Sequence, residues 1–175
     1  KVLLETLVKS LSKINGVLDN SFDKNKQIQD LSKRKKIKLG ICSDLLRKHV
    51  IGNFFLNLIL QLSSSGLEII IFRGPDSLED NVSKKIDSFA SETIRLPRSF
   101  KDGCKIIINK SIDILFYPDL GMSTYTYLLS LSRLALVQLT SIGHPCTSGS
   151  PAIDYYLSSK YLETANSDKY YTENL

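Results

Sequence analysis

From Ile37 onward, short runs of β-branched and aliphatic residues alternate with segments long enough for helices, a rhythm that few folds accommodate. The strand candidates are "IKLGIC" (37–42), "LEIIIF" (67–72), "ETIRL" (92–96), "IDILFY" (112–117), "LALVQL" (134–139) and "IDYYL" (153–157). Between them lie the helix candidates 50–65, 77–90, 99–111 and 124–134, the first of them stopped by Gly66. Most of these strands are apolar throughout instead of alternating with polar residues, so both faces must be covered. The expected architecture is therefore α/β: a Rossmann-like parallel sheet with helices on both faces, over residues 37–175.

The preceding segment, residues 1–36, reads differently. Leu4, Leu7, Val8, Leu11, Ile14 and Leu18 recur at three- and four-residue spacing, which places an apolar stripe on a helix over the first eighteen residues. A polar stretch follows, with a short helix near Ile28 and Leu31 and the basic run Lys33-Arg34-Lys35-Lys36. That run accounts for much of the net charge of +5, yet no aromatic residues interleave with it, which favours a solvated linker over a nucleic-acid contact. Nucleic-acid binding through it would weaken steeply with salt.

Three cysteines, Cys42, Cys104 and Cys146, are far apart and lack CxxC spacing or a histidine pair, so neither a disulfide framework nor a metal site is expected. The longest apolar run, Phe54 to Leu62, is broken by Asn57 and Gln61 short of the ~18 residues a membrane helix needs. Glu5 and Lys9 interrupt the leucines that an export signal would require. The expected setting is cytoplasmic, with no membrane. The chain starts at Lys1 and its one methionine is Met122, which suggests a fragment or processed product.

A parallel sheet locates its own ligand site, in the crevice at the carboxyl ends of the strands. Those ends lead here into "SDLLRKHVIG", "RGPDS", "PRSFKDG", "PDLGMST" and "SIGHPCTSGSP", and both histidines, His49 and His144, fall among them. No GxGxxG, GxxxxGK[ST] or GxSxG is present, which disfavours a dinucleotide cofactor, a P-loop and a serine hydrolase. His49 precedes a helical run, where the positive end of the helix dipole favours a neutral imidazole able to accept a proton or orient an acceptor. The residue pattern alone favours the simpler role of capping that helix. Gly143, Pro145, Gly149 and Pro151 exclude regular structure around His144. The loop either approaches a phosphate or sugar closely through exposed N–H groups or is merely a tight connection, and the residues weigh equally for both. Asp119 is read first as a cap for the helix beginning near Ser123 and second as a hydroxyl ligand. Tyr125, Tyr127, Leu128 and Leu131 form the packed face of that helix.

The strings "SRLALVQ…GHPCTSG…IDYY" and "YYTENL", preceded by "IKLGICSDLLRKHVIGNFF", resemble the catalytic region of glycosyltransferase family 41 over about Ile37 to Leu175. That family comprises the protein O-linked N-acetylglucosamine transferases and bacterial HMW-C-like cytoplasmic N-glycosyltransferases. Its members have two Rossmann-like halves facing one cleft, the GT-B arrangement, often after helical repeats. The resemblance implies the N-terminal half, with the C-terminal nucleotide-binding half absent and supplied in cis or trans. It implies inverting transfer of N-acetylglucosamine or glucose from a UDP-sugar donor to a Ser, Thr or Asn side chain of an acceptor protein, with no metal or other cofactor. By the same resemblance His49 is the catalytic histidine beside acceptor and donor, and Gly143, His144, Pro145 and Thr147 belong to the donor-sugar loop. The chain departs from the family pattern at Ser141-Ile142, where a tryptophan is common, and at Val50-Ile51, where Pro-Thr is usual. The alternative is a non-catalytic α/β module that binds a protein partner.

Overall fold

A computed structural model describes residues 1–11, 13 and 21–175. The elements run α1 (Val2–Leu11), α2 (Lys24–Lys33), β1 (Lys38–Cys42), α3 (Val50–Ser63), β2 (Glu68–Arg73), α4 (Asn81–Asp87), β3 (Glu92–Arg95), α5 (Phe100–Asn109), β4 (Ile114–Tyr117), α6 (Thr124–Leu129), β5 (Val137–Ser141) and β6 (Tyr155–Leu157). One six-stranded sheet has the order β3-β2-β1-β4-β5-β6, and every pairing in it is parallel. The order reverses between β1 and β4, so the crevice of an open α/β sheet opens there.

Each central strand divides its side chains between two cores because successive residues point to opposite faces. Leu39, Ile41, Ile69, Ile71 and Phe116 pack with Ile51, Phe55 and Ile59 of α3 and Ile86 of α4. On the other face Cys42, Ile70, Phe72, Leu115 and Tyr117 meet Cys104 and Ile107 of α5 and Leu129 of α6. The expectation of strands buried on both faces is met in β1, β2 and β4, whereas the edge strands β3 and β6 are largely exposed. Gly66 takes φ +85, the left-handed geometry that ends α3.

Several elements are shorter than the sequence reading, and one of these differences traces to a single side chain. The run 134–139 becomes a strand only at Val137, because the Gln138 carboxamide oxygen accepts the N–H groups of Leu134 and Ala135 and holds them in a turn. The preceding helix ends at Leu129 instead of 134.

The N-terminal segment is docked. Asp23 caps α2 by accepting the Lys26 N–H. At the other end the Arg34 guanidinium donates to both oxygens of buried Asp113 at 3.1 and 2.8 Å, and the Lys38 N–H donates to the same carboxylate at 2.8 Å. Arg34 is thus withdrawn from the basic run, while Lys33, Lys35 and Lys36 remain exposed. Helix α1 buries Val8 against Leu131, with Tyr127 and Leu128 beside it. Its expected continuation through Ile14 and Leu18 lies outside the described residues. Among those described, no helix is long and apolar enough to cross a membrane.

Candidate functional site

At the reversal point the loops after β1, β2 and β4 are fastened by two carboxylates. Ser43, the residue after β1, donates its hydroxyl to Asp119 Oδ2 at 3.0 Å and accepts the Leu45 N–H. Asp44 accepts the Gly74 N–H at 2.7 Å on one oxygen and the Ser123 hydroxyl at 2.5 Å on the other. A Cβ at Gly74 would stand 2.0 Å from the Asp44 carboxylate, so a larger residue there would displace that side chain. Buried Arg73, at the end of β2, donates to the Leu46 carbonyl and so fixes the loop leading to His49.

Asp119 does not cap α6. Ser123 does so itself, accepting from the Thr126 N–H, while Asp119 is only 1% exposed and its Oδ1 has no hydrogen-bond partner among the described residues. Burial pushes its carboxyl up to about 7, with the Ser43 hydroxyl opposing and the Asp44 charge adding.

His49 is the N-cap of α3: with φ −146 and ψ 162 it is extended, and its Nδ1 accepts the Ile51 N–H at 3.3 Å. The capping expectation holds. A neutral ring whose Nδ1 accepts a hydrogen bond carries its proton on Nε2, so the free nitrogen of this half-buried imidazole is a donor.

Gly143 packs directly on the end of β4 and the start of α3. A Cβ at that position would lie 2.1 Å from the Pro118 carbonyl oxygen and 3.0 Å from Ile51 Cδ1. A cavity of about 120 Å³ between Val50, Ile51, Phe54, Phe55, Ile142 and Gly143 joins the two segments. The His144 ring lies over Gly121, where a Cβ would be 3.0 Å from Nδ1, and its carbonyl accepts the Tyr156 hydroxyl at 2.8 Å. Gly121 has φ +106, a conformation suited to glycine. The fold therefore gathers Gly143, His144 and the helix start behind His49 at one edge, with no hydrogen bond between the two imidazoles among the described residues.

Pro145 and Thr147 face elsewhere. With Lys1, Leu4, Cys146, Tyr170 and Tyr171 they line a separate cavity of about 240 Å³ between α1 and the C-terminal segment. The buried Thr147 hydroxyl lies 2.7 Å from Glu173 Oε2 and 2.8 Å from the Thr172 hydroxyl. Gly149, at φ +70, admits α1: a Cβ there would sit 2.7 Å from Leu4 Cβ. Ser43, Asp44 and Glu173 were not distinguishable as site residues in the sequence, because the partners that define them are 25 to 79 positions away.

No family model and no curated protein sequence matches this chain. Among solved structures, a mutant O-GlcNAc transferase of Thermobaculum terrenum aligns with a TM-score of 0.71 over 98% of this chain, at 20% identity. The likeness is one of fold. This chain spans 36% of that protein's length, and its six-stranded parallel sheet with flanking helices corresponds to one Rossmann-like half of a GT-B glycosyltransferase fold.

Proposed function

We propose that this chain is the N-terminal half of a UDP-sugar-dependent glycosyltransferase that transfers N-acetylglucosamine or glucose, with inversion, to a Ser, Thr or Asn side chain of a cytoplasmic protein. One observation carries the reading: His49, Gly143 and His144 all belong to the carboxyl edge of a sheet whose fold aligns over nearly its whole length with an O-GlcNAc transferase. In the reaction the acceptor heteroatom bonds to the anomeric carbon, the carbon–oxygen bond to the diphosphate breaks, UDP leaves with that electron pair, and the acceptor's proton passes to a diphosphate oxygen of the departing UDP or to water. The negative charge developing on the diphosphate needs preorganised donors, and these come from a second Rossmann-like half in cis or in trans. The first half contributes the sugar side. His49, its Nδ1 committed to the cap, donates from Nε2 and orients an oxygen of acceptor or donor instead of removing a proton. Gly143 lets the backbone approach the sugar, His144 flanks it, and Pro145 and Thr147 give the loop its shape.

The test pairs this chain with the second half of a GT-B glycosyltransferase, fused or in trans, and follows radiolabelled sugar transfer from UDP-N-acetylglucosamine and UDP-glucose. Alone, the chain should bind UDP weakly and transfer nothing; with the second half it should transfer, and H49A and H144A should each lower the rate without unfolding the domain. Robust turnover by the 175 residues alone would refute the dependence on a second half. Absence of transfer once the second half is restored would refute the glycosyltransferase reading itself.

A further inference from the structure

Glu173 is a nearly buried carboxylate in the C-terminal segment, and among the described residues no cation forms a salt bridge with it. Its charge is instead met by four hydrogen bonds. Oε1 accepts the Ser148 N–H at 2.8 Å and the Ser148 hydroxyl, and Oε2 accepts the Thr147 hydroxyl at 2.7 Å and the Thr172 N–H at 3.1 Å. Burial pushes this carboxyl up, but the hydrogen bonds from Ser148 and Thr147 outweigh it and hold the group below its usual range. Three of the four donors belong to the loop that begins at Gly143 and His144.

The rest of that loop has few independent restraints. The Ser148 hydroxyl, fixed by Glu173, in turn accepts the Ser150 N–H at 3.1 Å, and the Ser148 carbonyl accepts the Tyr127 hydroxyl at 2.9 Å. Upstream, the His144 carbonyl accepts from Tyr156. Between these anchors lie only Pro145 and Cys146, both exposed. With Thr147 and Ser148 held, the short span has little freedom, and the His144 ring is delivered onto Gly121.

We infer that Glu173 is a positioning residue: its carboxylate sets the conformation of the 143–148 loop and thereby places His144 against Gly121 at the carboxyl edge of the sheet. Its bearing on sugar transfer rests on the function proposed above, whereas its effect on His144 does not. A glutamine at this position presents one acceptor oxygen where the carboxylate presents two, so it cannot accept from Ser148 and from the Thr147 hydroxyl together, while the Thr172 N–H keeps the Thr147 hydroxyl oxygen at 3.0 Å. The fold-forming contacts of β6, the Tyr156 N–H to Asn174 and the Asn174 N–H to Asp154, do not involve the carboxylate.

The experiment compares the full 175-residue chain with Glu173→Gln and with the control Glu163→Gln, whose carboxylate binds Ser158 and Tyr171 but not the loop. The readouts are amide exchange at Ser148 and Tyr156 and the nuclear Overhauser effect between the His144 ring and the Gly121 α-protons. In E173Q, exchange at Ser148 should rise about tenfold with Tyr156 still protected, and the His144–Gly121 effect should fall several-fold. E163Q should match the wild type. An undiminished His144–Gly121 effect in folded E173Q, or equal loss in E163Q, overturns the inference. If E173Q does not fold, Thr147→Val removes one donor and leaves the carboxylate: a weakened effect supports the inference and an unchanged one overturns it. With the second half restored, E173Q should lower kcat about tenfold with acceptor KM within about twofold, and an unchanged kcat confines Glu173 to fold maintenance. Failure of the wild type itself to transfer sugar removes the glycosyltransferase reading, and the resonance experiment still decides whether Glu173 places His144.

Discussion

Replacing Asp119 by asparagine isolates the cost of a carboxyl group buried at the reversal point of the sheet. In the folded chain burial raises this group from its ordinary 3.8 to about 7. The native state therefore keeps a proton that the unfolded chain releases, and stability falls as pH rises from the lower value to the upper. At about 1.36 kcal/mol per pH unit, that window corresponds to roughly 4 kcal/mol of stability, all lost above about pH 7. Asparagine keeps an acceptor for the Ser43 hydroxyl, which lies 3.0 Å from Asp119, and has no charge to bury. D119N should accordingly be within about 1 kcal/mol of the wild type near pH 4 and more stable by about 2–4 kcal/mol near pH 8. The assay is urea unfolding followed by far-UV circular dichroism, suited to a chain without tryptophan, from about pH 4 to pH 8 at constant ionic strength. Titrations common to both proteins cancel in the difference. A stability difference that stays flat over this range, or grows as pH falls, would refute the assignment of a neutral carboxyl to Asp119.

Four further outcomes follow from particular contacts. Gly143→Ala places a Cβ 2.1 Å from the Pro118 carbonyl oxygen, a backbone atom with no room to yield, so the loop must shift; a loss of about 1–3 kcal/mol and faster proteolysis at Pro145–Thr147 are expected. Asp113→Ala strands the Arg34 guanidinium and the Lys38 N–H, and should cost about 3–5 kcal/mol in urea unfolding, with exchange protection lost first in α2. Gly149→Ala combines a positive φ with a 2.7 Å approach to Leu4, so α1 should become protease-sensitive while the thermal midpoint of the sheet changes little. Iodoacetamide should modify exposed Cys146 in the native chain and reach Cys42 and Cys104 only in urea, burial having raised the Cys42 thiol; mass spectrometry distinguishes one adduct from three.

Much of the scaffold was legible because burial on both faces leaves a composition signature. Runs such as "LEIIIF" and "IDILFY" have no polar alternation, and their strands occupy the centre of the sheet, while the polar "ETIRL" became an edge. Capping was also local enough to read: His49 bonds two residues along the chain, and Gly66 needs only its own φ. The strand begins at Val137 and not at Leu134 because Gln138, a side chain inside the run, diverts the N–H groups of Leu134 and Ala135. The role of Asp119 is not local in the same way, since its partner Ser43 lies 76 residues away.

The sequence by itself determined the βα rhythm, hence a parallel sheet with a ligand-accepting edge, and which loops reach that edge. Only the tertiary structure decided how those loops are held: Ser43 on Asp119, Asp44 between Gly74 and Ser123, Glu173 under Thr147 and Ser148, and Thr147 turned away from the side that His144 faces. The physical reason is range. Periodicity records whether a residue is buried on a helix or strand, whereas a hydrogen bond between distant loops depends on a few ångströms of approach that neighbouring residues do not encode.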